Sequence, residues 1–426
     1  MKYFFSFFLV LGCVNCFFMK AFAEEGRLDM DKIASLQERQ RYFIQNPPKE
    51  DFSSCQDWTG ATFVDSLEDK LCGEALLREG KVACLLLAGG QGSRLGEGIA
   101  KGRVEVSILQ KKSLFQIFFE KTLYAGLQCG RKLSIAVMTS SYNHEETVEF
   151  LRFHNFFGLS QDQVYFFTQG DLPFCNEEGN WLLKEPDLRS KGPNGNGLAL
   201  HHMEESGVLD LFYKMGIEHI NVIQIDNPLA DPFDATFLGF HFRKGSEISV
   251  IGVTRESEGE KAGVIASDLG ACRIIEYTEK LNRSFSLLNT GLFCFSMDFI
   301  QRVVKEDVKL PWHAAYKKQS SGEFVWKFEY FIFDLFPYAK RVSVLVKPRS
   351  ECFSPLKNAT GEKSLDTVRK DLLQKDRARY HFLTGKEASL EEIELSFAFY
   401  YPREEEILHW KEGKWPDKGY IIPKVL

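Results

Sequence analysis

The chain has 426 residues, enough for a large core and one to three domains. Hydrophobic residues make up 44% and charged residues 26%, a globular balance with no low-complexity tract. A net charge of -6 argues against a nucleic-acid-binding surface, although cations that converge locally can still hold a polyanion.

In chain order, Met1-Lys2, an apolar stretch over residues 3–19 and Ala21-Phe22-Ala23-Glu24 have the shape of a signal peptide. Val10-Leu11-Gly12-Cys13 loosely fits a lipoprotein cleavage box. An export signal, a membrane tether and an upstream start before Met19 or Met30 all stay open, and residues 1–23 are set aside as a leader. Cys13-Val14-Asn15-Cys16 is the one C-x-x-C, and with no second pair or histidines nearby it does not read as zinc-binding. The cysteines of the body are widely spaced and several sit in apolar runs, so they read as buried reduced thiols.

Residues 28–46 predict an amphipathic helix ended by Pro47-Pro48, and residues 50–80 are weakly patterned. Residues 24–80 are therefore expected to form a small N-terminal helical region. Residues 82–88 then read as a fully buried strand, because nothing in them alternates. That strand runs into Gly89, Gly90 and Gly92, followed by Arg94 and Lys101. Glycines let backbone N–H groups approach a ligand, and the two cations suit a polyphosphate. The last position of G-x-G-x-x-G fails at Leu95, and Lys101-Gly102 is not Gly-Lys-Ser/Thr, so dinucleotide and Walker A loops are both disfavoured.

Beyond the glycines, strands are expected at 133–138, 164–168, 220–225 and 248–253, with helices at 113–127, 143–157, 197–215 and 235–242. This alternation implies a mostly parallel sheet covered on both faces, with ligands at the carboxyl ends of the strands. Further strands at 272–277 and 292–295 read as antiparallel insertions. Residues 326–339 predict an aromatic helix packed in the core, residues 342–346 a late strand, and 365–374 a charged helix.

Six segments in order resemble the UDP-sugar pyrophosphorylase family, closest to its UDP-N-acetylhexosamine branch. They are the loop at Gly89–Gly96 with Lys101, Gln169-Gly170-Asp171-Leu172-Pro173, Gly192-Pro193-Asn194-Gly195-Asn196-Gly197, Asp226-Asn227-Pro228-Leu229, the pair Glu276-Tyr277-Thr278-Glu279 and Asn289-Thr290-Gly291, and Ser354-Pro355-Leu356-Lys357-Asn358-Ala359. The resemblance implies an α/β fold: a mostly parallel Rossmann-like nucleotidyltransferase sheet with helices on both faces. Residues 81–350 would be the catalytic domain and 351–426 a small C-terminal domain.

It also implies the reaction. A sugar-1-phosphate oxygen attacks the α-phosphorus of UTP and pyrophosphate leaves, giving UDP-N-acetylglucosamine or UDP-glucose. Arg94, Lys101 and Lys357 would be the catalytic cations. Gly89, Gly90, Gly92, Gln169 and Gly195 would bind the nucleotide, and Asn196, Gly263, Glu276 and Asn289 the sugar or ribose. Asp226 would hold Mg²⁺, a hard cation suited to carboxylate and phosphate oxygens. On the residues alone, Asp226 could equally cap a helix, Glu276 be a surface charge and Asn289 cap a turn. Triphosphates made inside cells point to the cytoplasm, against the signal-like leader; no nucleic acid partner is expected.

Three positions depart from the family pattern: Ala100 where a proline is usual, Asn194 in place of an aspartate, and Leu292 where a second asparagine is frequent. The last puts recognition of the N-acetyl group in doubt. A non-catalytic UDP-sugar-binding relative is the competing class. Four cations and acids kept together (Arg94, Lys101, Asp226, Lys357) favour the enzyme. A nicotinamide oxidoreductase is disfavoured by the failed glycine fingerprint.

Overall fold

The computed structural model describes residues 30–48, 51–64, 66–90, 92, 100–185, 188–279, 281, 283–319, 322–388 and 392–423. The leader expected over 1–23, and Arg94 with its neighbours 93–99, lie outside the described residues. The chain divides into two compact units.

The larger unit, Asp51–Asp171, Pro193–His313 and Glu329–Leu426, is built on an 11-stranded sheet. Eight strands form its main path: β1 (Ala61–Thr62), β2 (Val82–Leu87), β3 (Ser134–Thr139), β4 (Val164–Thr168), β5 (His219–Gln224), β6 (Ile248–Thr254), β7 (Leu287–Ser296) and β8 (Val342–Val346). Their order across the sheet is β1-β8-β6-β7-β5-β2-β3-β4. β5, β2, β3 and β4 run parallel, as do β6, β8 and β1. The exception is β7, antiparallel to both β5 and β6, with Phe293 opposite Val222 on one side and Val250 on the other. So the expected parallel α/β sheet is present. The strand read as an insertion at 292–295 is instead part of the middle of the sheet, while the short pair Val264–Asp268 and Ala271–Ile275 branches from it.

Alternation along the strands sends side chains into two cores. Cys84 and Leu86 of β2 face one, with Phe115, Phe118 and Phe119 from the helix Leu114–Cys129. Ala83, Leu85 and Leu87 face the other, with Leu200, Phe212 and Phe299 from helices Ala199–Glu205, Val208–Lys214 and Met297–Lys305. Helices thus cover both faces. A third, small core gathers Tyr380, Leu383, Ile393, Phe399 and Trp410 near the carboxyl end of the chain.

Three helix expectations need correction. The span 197–215 is two helices, because Ser206-Gly207 breaks it: Gly207 has φ +78°, left-handed backbone that ends one helix before the next begins. The helix expected to run to 157 stops at Phe153 and gives way to a 3₁₀ turn, Asn155–Gly158. Residues 326–339 are not a helix. Trp326 and Phe328 lie in the strand Phe324–Glu329, and a 3₁₀ segment, Ile332–Tyr338, comes next with Pro337 inside it. The core role holds for Phe333 and Phe336, both buried. Residues 50–80, read as weakly patterned, contain the helix Leu67–Glu79, capped by Ser66 and closed by Gly80 at φ +70°.

The smaller unit comprises Met1–Glu50, Leu172–Gly192 and Ala314–Phe328. Its helix, Met30–Gln45, matches the expected amphipathic one. Gln40 is fully buried there: its Nε2 donates to Pro173 O at 3.2 Å and its Oε1 accepts from Trp181 Nε1 at 2.7 Å. Phe43 meets Phe328 edge-on at 5.7 Å. Among the described residues no helix is long and apolar enough to cross a membrane, and six of the eight described cysteines are buried.

Candidate active site

The glycine turn follows β2, Gln169 follows β4, and Asp226 lies just beyond β5, so one edge of the parallel strands carries all three. Asn143 Nδ2 donates to Ala88 O at 2.9 Å and fixes the end of β2. At Gly89 a Cβ would sit 2.4 Å from Gln169 Nε2, so only glycine leaves room for that amide. Gly90 has open space around its Cβ position, and Gly92 takes φ +64°. Gln169 is itself buried, its N–H donating to Thr139 O at 2.8 Å.

The second glycine loop is tied to the same place. Asn194 N–H donates to Gly170 O at 3.0 Å, and Tyr330 N–H donates to Asn194 O at 2.7 Å. Gly195 takes φ +86°, and a Cβ there would lie 2.3 Å from Tyr330 O. Asn196 Oδ1 accepts from Ile332 N–H at 3.0 Å, so its oxygen ties the loop to the 3₁₀ segment. Asn194, the replacement for the family aspartate, is buried with its Oδ1 unpaired among the described residues. His202 was not foreseen: its Nε2 accepts from Gly170 N–H at 3.0 Å and its Nδ1 meets Glu205 Oε2 at 2.8 Å. An acceptor role at Nε2 places the proton on Nδ1, toward the carboxylate.

Three charged residues converge at the end of β5. Lys357 Nζ lies 2.7 Å from Asp226 Oδ2, and Lys101 Nζ lies 3.5 Å from the same oxygen. Burial alone would raise the Asp226 carboxyl; Lys357 and then Lys101 outweigh it and hold it below the ordinary carboxylate value. Lys101 Nζ also donates to Leu356 O at 3.4 Å, and Leu356 N–H donates to Asp226 O at 2.7 Å. The backbone before Lys101 is set by Ala100 at φ −55°, close to the torsion a proline ring would fix, so the departure from the family pattern keeps the local geometry.

Gly263, Glu276 and Asn289 also come together. A Cβ at Gly263 would lie 3.1 Å from Glu276 Oε1, and Asn289 N–H donates to Gly263 O at 2.8 Å. Asn289 Oδ1 accepts from Gly291 N–H at 2.9 Å, the turn-capping bond. Burial raises the Glu276 carboxyl, opposed by Lys357 and His313. His313 Nε2 meets Asp334 Oδ2 at 2.8 Å, and this histidine–aspartate pair acts on Glu276. Gln224 is a further residue the motifs did not flag: it ends β5, and a Cβ at Gly291 would come within 2.5 Å of its Nε2. Leu292, the third departure from the family pattern, is buried in the apolar core with Ile223 and Leu288.

A strand-end glycine turn, a buried amide and lysines gathered on one carboxylate, on this sheet, define a protein of UDP-sugar pyrophosphorylase fold. The crystal structure of a putative UDP-N-acetylglucosamine pyrophosphorylase from Entamoeba histolytica superposes with a TM-score of 0.74 at 28% identity, over 85% of this chain and 96% of that one. UDP-N-acetylglucosamine diphosphorylase 2 of Arabidopsis thaliana is 35% identical over 315 residues, 66% of this chain and 62% of the relative. A probable UDP-N-acetylglucosamine pyrophosphorylase of Dictyostelium discoideum is 32% identical over 326 residues, 68% of this chain and 67% of the relative. The profile of the UTP–glucose-1-phosphate uridylyltransferase family matches residues 23–400, and the chain belongs to that family.

Proposed function

We propose that this chain is a UTP:sugar-1-phosphate uridylyltransferase whose preferred substrate is N-acetylglucosamine-1-phosphate, with pyrophosphate as the second product. The observation that carries the reading is the convergence of Lys101 and Lys357 on Asp226 at the strand end next to the glycine turn. UTP and a sugar phosphate bring several negative charges into one cleft. Fixed cations lower that repulsion and stabilise the leaving pyrophosphate; the comparison with phosphoryl transfer is by analogy.

Each residue then has a role. Backbone N–H groups at Gly89, Gly90 and Gly92 approach the nucleotide phosphates, with Arg94 and Lys101 on the triphosphate. Gln169, lying against Gly89, and Gly195 read the donor–acceptor edge of uracil. Asn196 turns its remaining amide to the ribose or sugar. Lys357 holds the attacking sugar phosphate. Glu276, Gly263 and Asn289 line the hexose, where a carboxyl accepts from paired hydroxyls and an amide both donates and accepts.

Asp226 fits Mg²⁺. Among the described residues no group of three or more acidic, His or Cys side chains is present, as suits an ion that takes one or two carboxylates and completes its shell with substrate phosphates. Both lysines approach the same oxygen, Oδ2, of this carboxylate. When bound, Mg²⁺ would neutralise phosphate oxygens and polarise the reacting phosphorus.

Pyrophosphate release with UTP and a panel of sugar-1-phosphates, with and without Mg²⁺, tests the reading. N-acetylglucosamine-1-phosphate is expected to give the highest kcat/KM, with glucose-1-phosphate second. Equal values for both sugars would defeat the preference and keep the reaction; no release with any sugar would defeat the reaction.

A further inference from the structure

Behind Asp226 lie two lysines, Lys121 buried and Lys375 half-buried, that the proposed reaction does not use. Lys121, on the helix Leu114–Cys129, donates to Pro228 O and to Ala230 O, each at 2.6 Å. Lys375, on the helix Leu365–Thr384, donates to Leu229 O at 3.1 Å and to Glu351 O at 2.7 Å. Two ammonium groups from two helices therefore hold three consecutive carbonyls of the segment that begins at Asp226.

Lys375 also joins that segment to the one that carries Lys357. The same two segments are laced by Asn227, whose Nδ2 donates to Cys352 O at 2.8 Å and whose Oδ1 accepts from Ser354 N–H at 2.9 Å. Leu356 N–H closes the seam on Asp226 O at 2.7 Å. At the far end Asp231 Oδ1 accepts from Tyr401 Oη at 2.6 Å and from Phe233 N–H at 2.9 Å.

Lysines are seldom buried unless paired, and apolar side chains often stabilise such a place at least as well. Bonds from these two side chains all end on backbone carbonyls, which sets where a segment lies rather than how well it packs. Burial, together with Lys375, pulls the Lys121 ammonium down, against Asp231 and Asp376. An amine would still donate both hydrogen bonds, so the arrangement does not depend on the charge of Lys121.

We propose that Lys121 and Lys375 are positioning residues that lock the Asp226 segment to the Lys357 segment, so that carboxylate and ammonium meet in one geometry. This deepens the uridylyltransferase reading of the site, and its kinetic consequence rests on that reading. Small misplacements of reacting groups are costly, up to about 10²-fold for 1 Å.

The test compares the full chain with Lys375→Met, Lys121→Met and the conservative Lys375→Arg. Hydrogen exchange is followed by mass spectrometry over peptides that contain residues 226–231 and 351–357, with strand β2 as an internal reference, and pyrophosphate release is measured alongside. In both Met variants exchange in the two segments is expected to rise roughly tenfold or more, with β2 unchanged. In those variants kcat should fall by roughly tenfold or more with the KM for UTP held within about twofold. Lys375→Arg should recover most of both. Unchanged exchange in both Met variants overturns the lock, as does a rise that extends equally to β2. Faster exchange with wild-type kcat overturns the positioning role. A wild-type chain that releases no pyrophosphate defeats the proposed reaction instead, and the exchange data still decide the lock. Should Lys375→Met fail to fold, Lys121→Met and Lys375→Gln are judged by the same criteria.

Discussion

Lys357 Nζ and Asp226 Oδ2 are 2.7 Å apart, although the two residues belong to different segments far apart in the chain. The lysine assigned to the sugar phosphate and the carboxylate assigned to the metal thus neutralise each other, while Lys101 waits 3.5 Å from the same oxygen. In the proposed reaction, a substrate phosphate at Lys357 and a cation at Asp226 would replace this pair with two new ones, each of unlike charge.

Replacing Lys357 with Ala should therefore lower kcat/KM by roughly 10²-fold or more, on the scale of losing one charge contact in the transition state. The side chain is 40% exposed and Lys101 remains to face the carboxylate, so the variant should fold. Lys101→Ala should lose a similar factor. Near-normal turnover in both would remove the lysines from the reaction.

Chelation should abolish pyrophosphate release, and added Mg²⁺ should restore it. Asp226→Asn should largely lose that response, because an amide keeps the shape and removes the charge that a hard cation needs. Activity that persists in excess chelator would take the metal role away from Asp226.

Two glycines separate binding from folding. Gly89→Ala would put a methyl 2.4 Å from the end of the Gln169 side chain, which can move aside. The expected result is a KM for UTP raised by about tenfold, since roughly one uracil-reading hydrogen bond is lost, with little change in Tm. Gly195→Ala meets backbone, Tyr330 O at 2.3 Å, at φ +86°. It should destabilise the fold by more than about 1 kcal/mol, read as a lower Tm. Equal thermal losses in the two variants would contradict this division.

Asp376 gives a pH-dependent stability. Burial pushes its carboxyl up to about 7, although Tyr400 Oη at 2.5 Å and Leu395 N–H at 3.2 Å favour the charged form. A folded value raised above the ordinary 3.8 means that the folded chain holds its proton longer than the unfolded chain. The associated stability is full below the unfolded value and is lost as pH rises through about 7. Asp376→Asn mimics the protonated form: its oxygen can accept from Leu395 N–H while the Tyr400 hydroxyl turns to accept from the amide. Thermal melts from pH 5 to pH 8 should show the wild type losing more stability than the variant over that range. Parallel pH profiles would remove Asp376 as the cause.

Strands were the most legible part of the fold. Residues of β2, β4, β5, β6 and β8 are apolar runs bounded by turn signals, and each appears within a residue or two of its expected place. Helix Leu67–Glu79 was hidden because it packs backbone to backbone. A Cβ on its Gly73 would lie 1.8 Å from Ala235 O, and one on Gly239 would lie 1.8 Å from Asp69 O. A helix seated through glycines needs no broad apolar stripe, so it leaves little periodic signal. At 324–336 the aromatic residues were visible but not their geometry. Alternation of Phe324, Trp326 and Phe328 is a strand period, and Pro337 prevents a regular helix over Ile332–Tyr338.

The sequence by itself determined the class of sheet, the glycine turns and the kinds of side chain at the site. These depend on local pattern: burial periodicity, torsions open only to glycine, and charge placed next to a strand end. Tertiary structure decided the rest. It placed Leu292 in the core, set Gln169 against Gly89, and drew Lys101 and Lys357 onto one oxygen of Asp226. It also seated Lys121 and Lys375 beneath the Asp226 segment, where neither sits in a recognisable motif. The physical reason is that an ion pair or a buried ammonium is specified by distance and desolvation between remote segments, and neither quantity exists until the chain has folded.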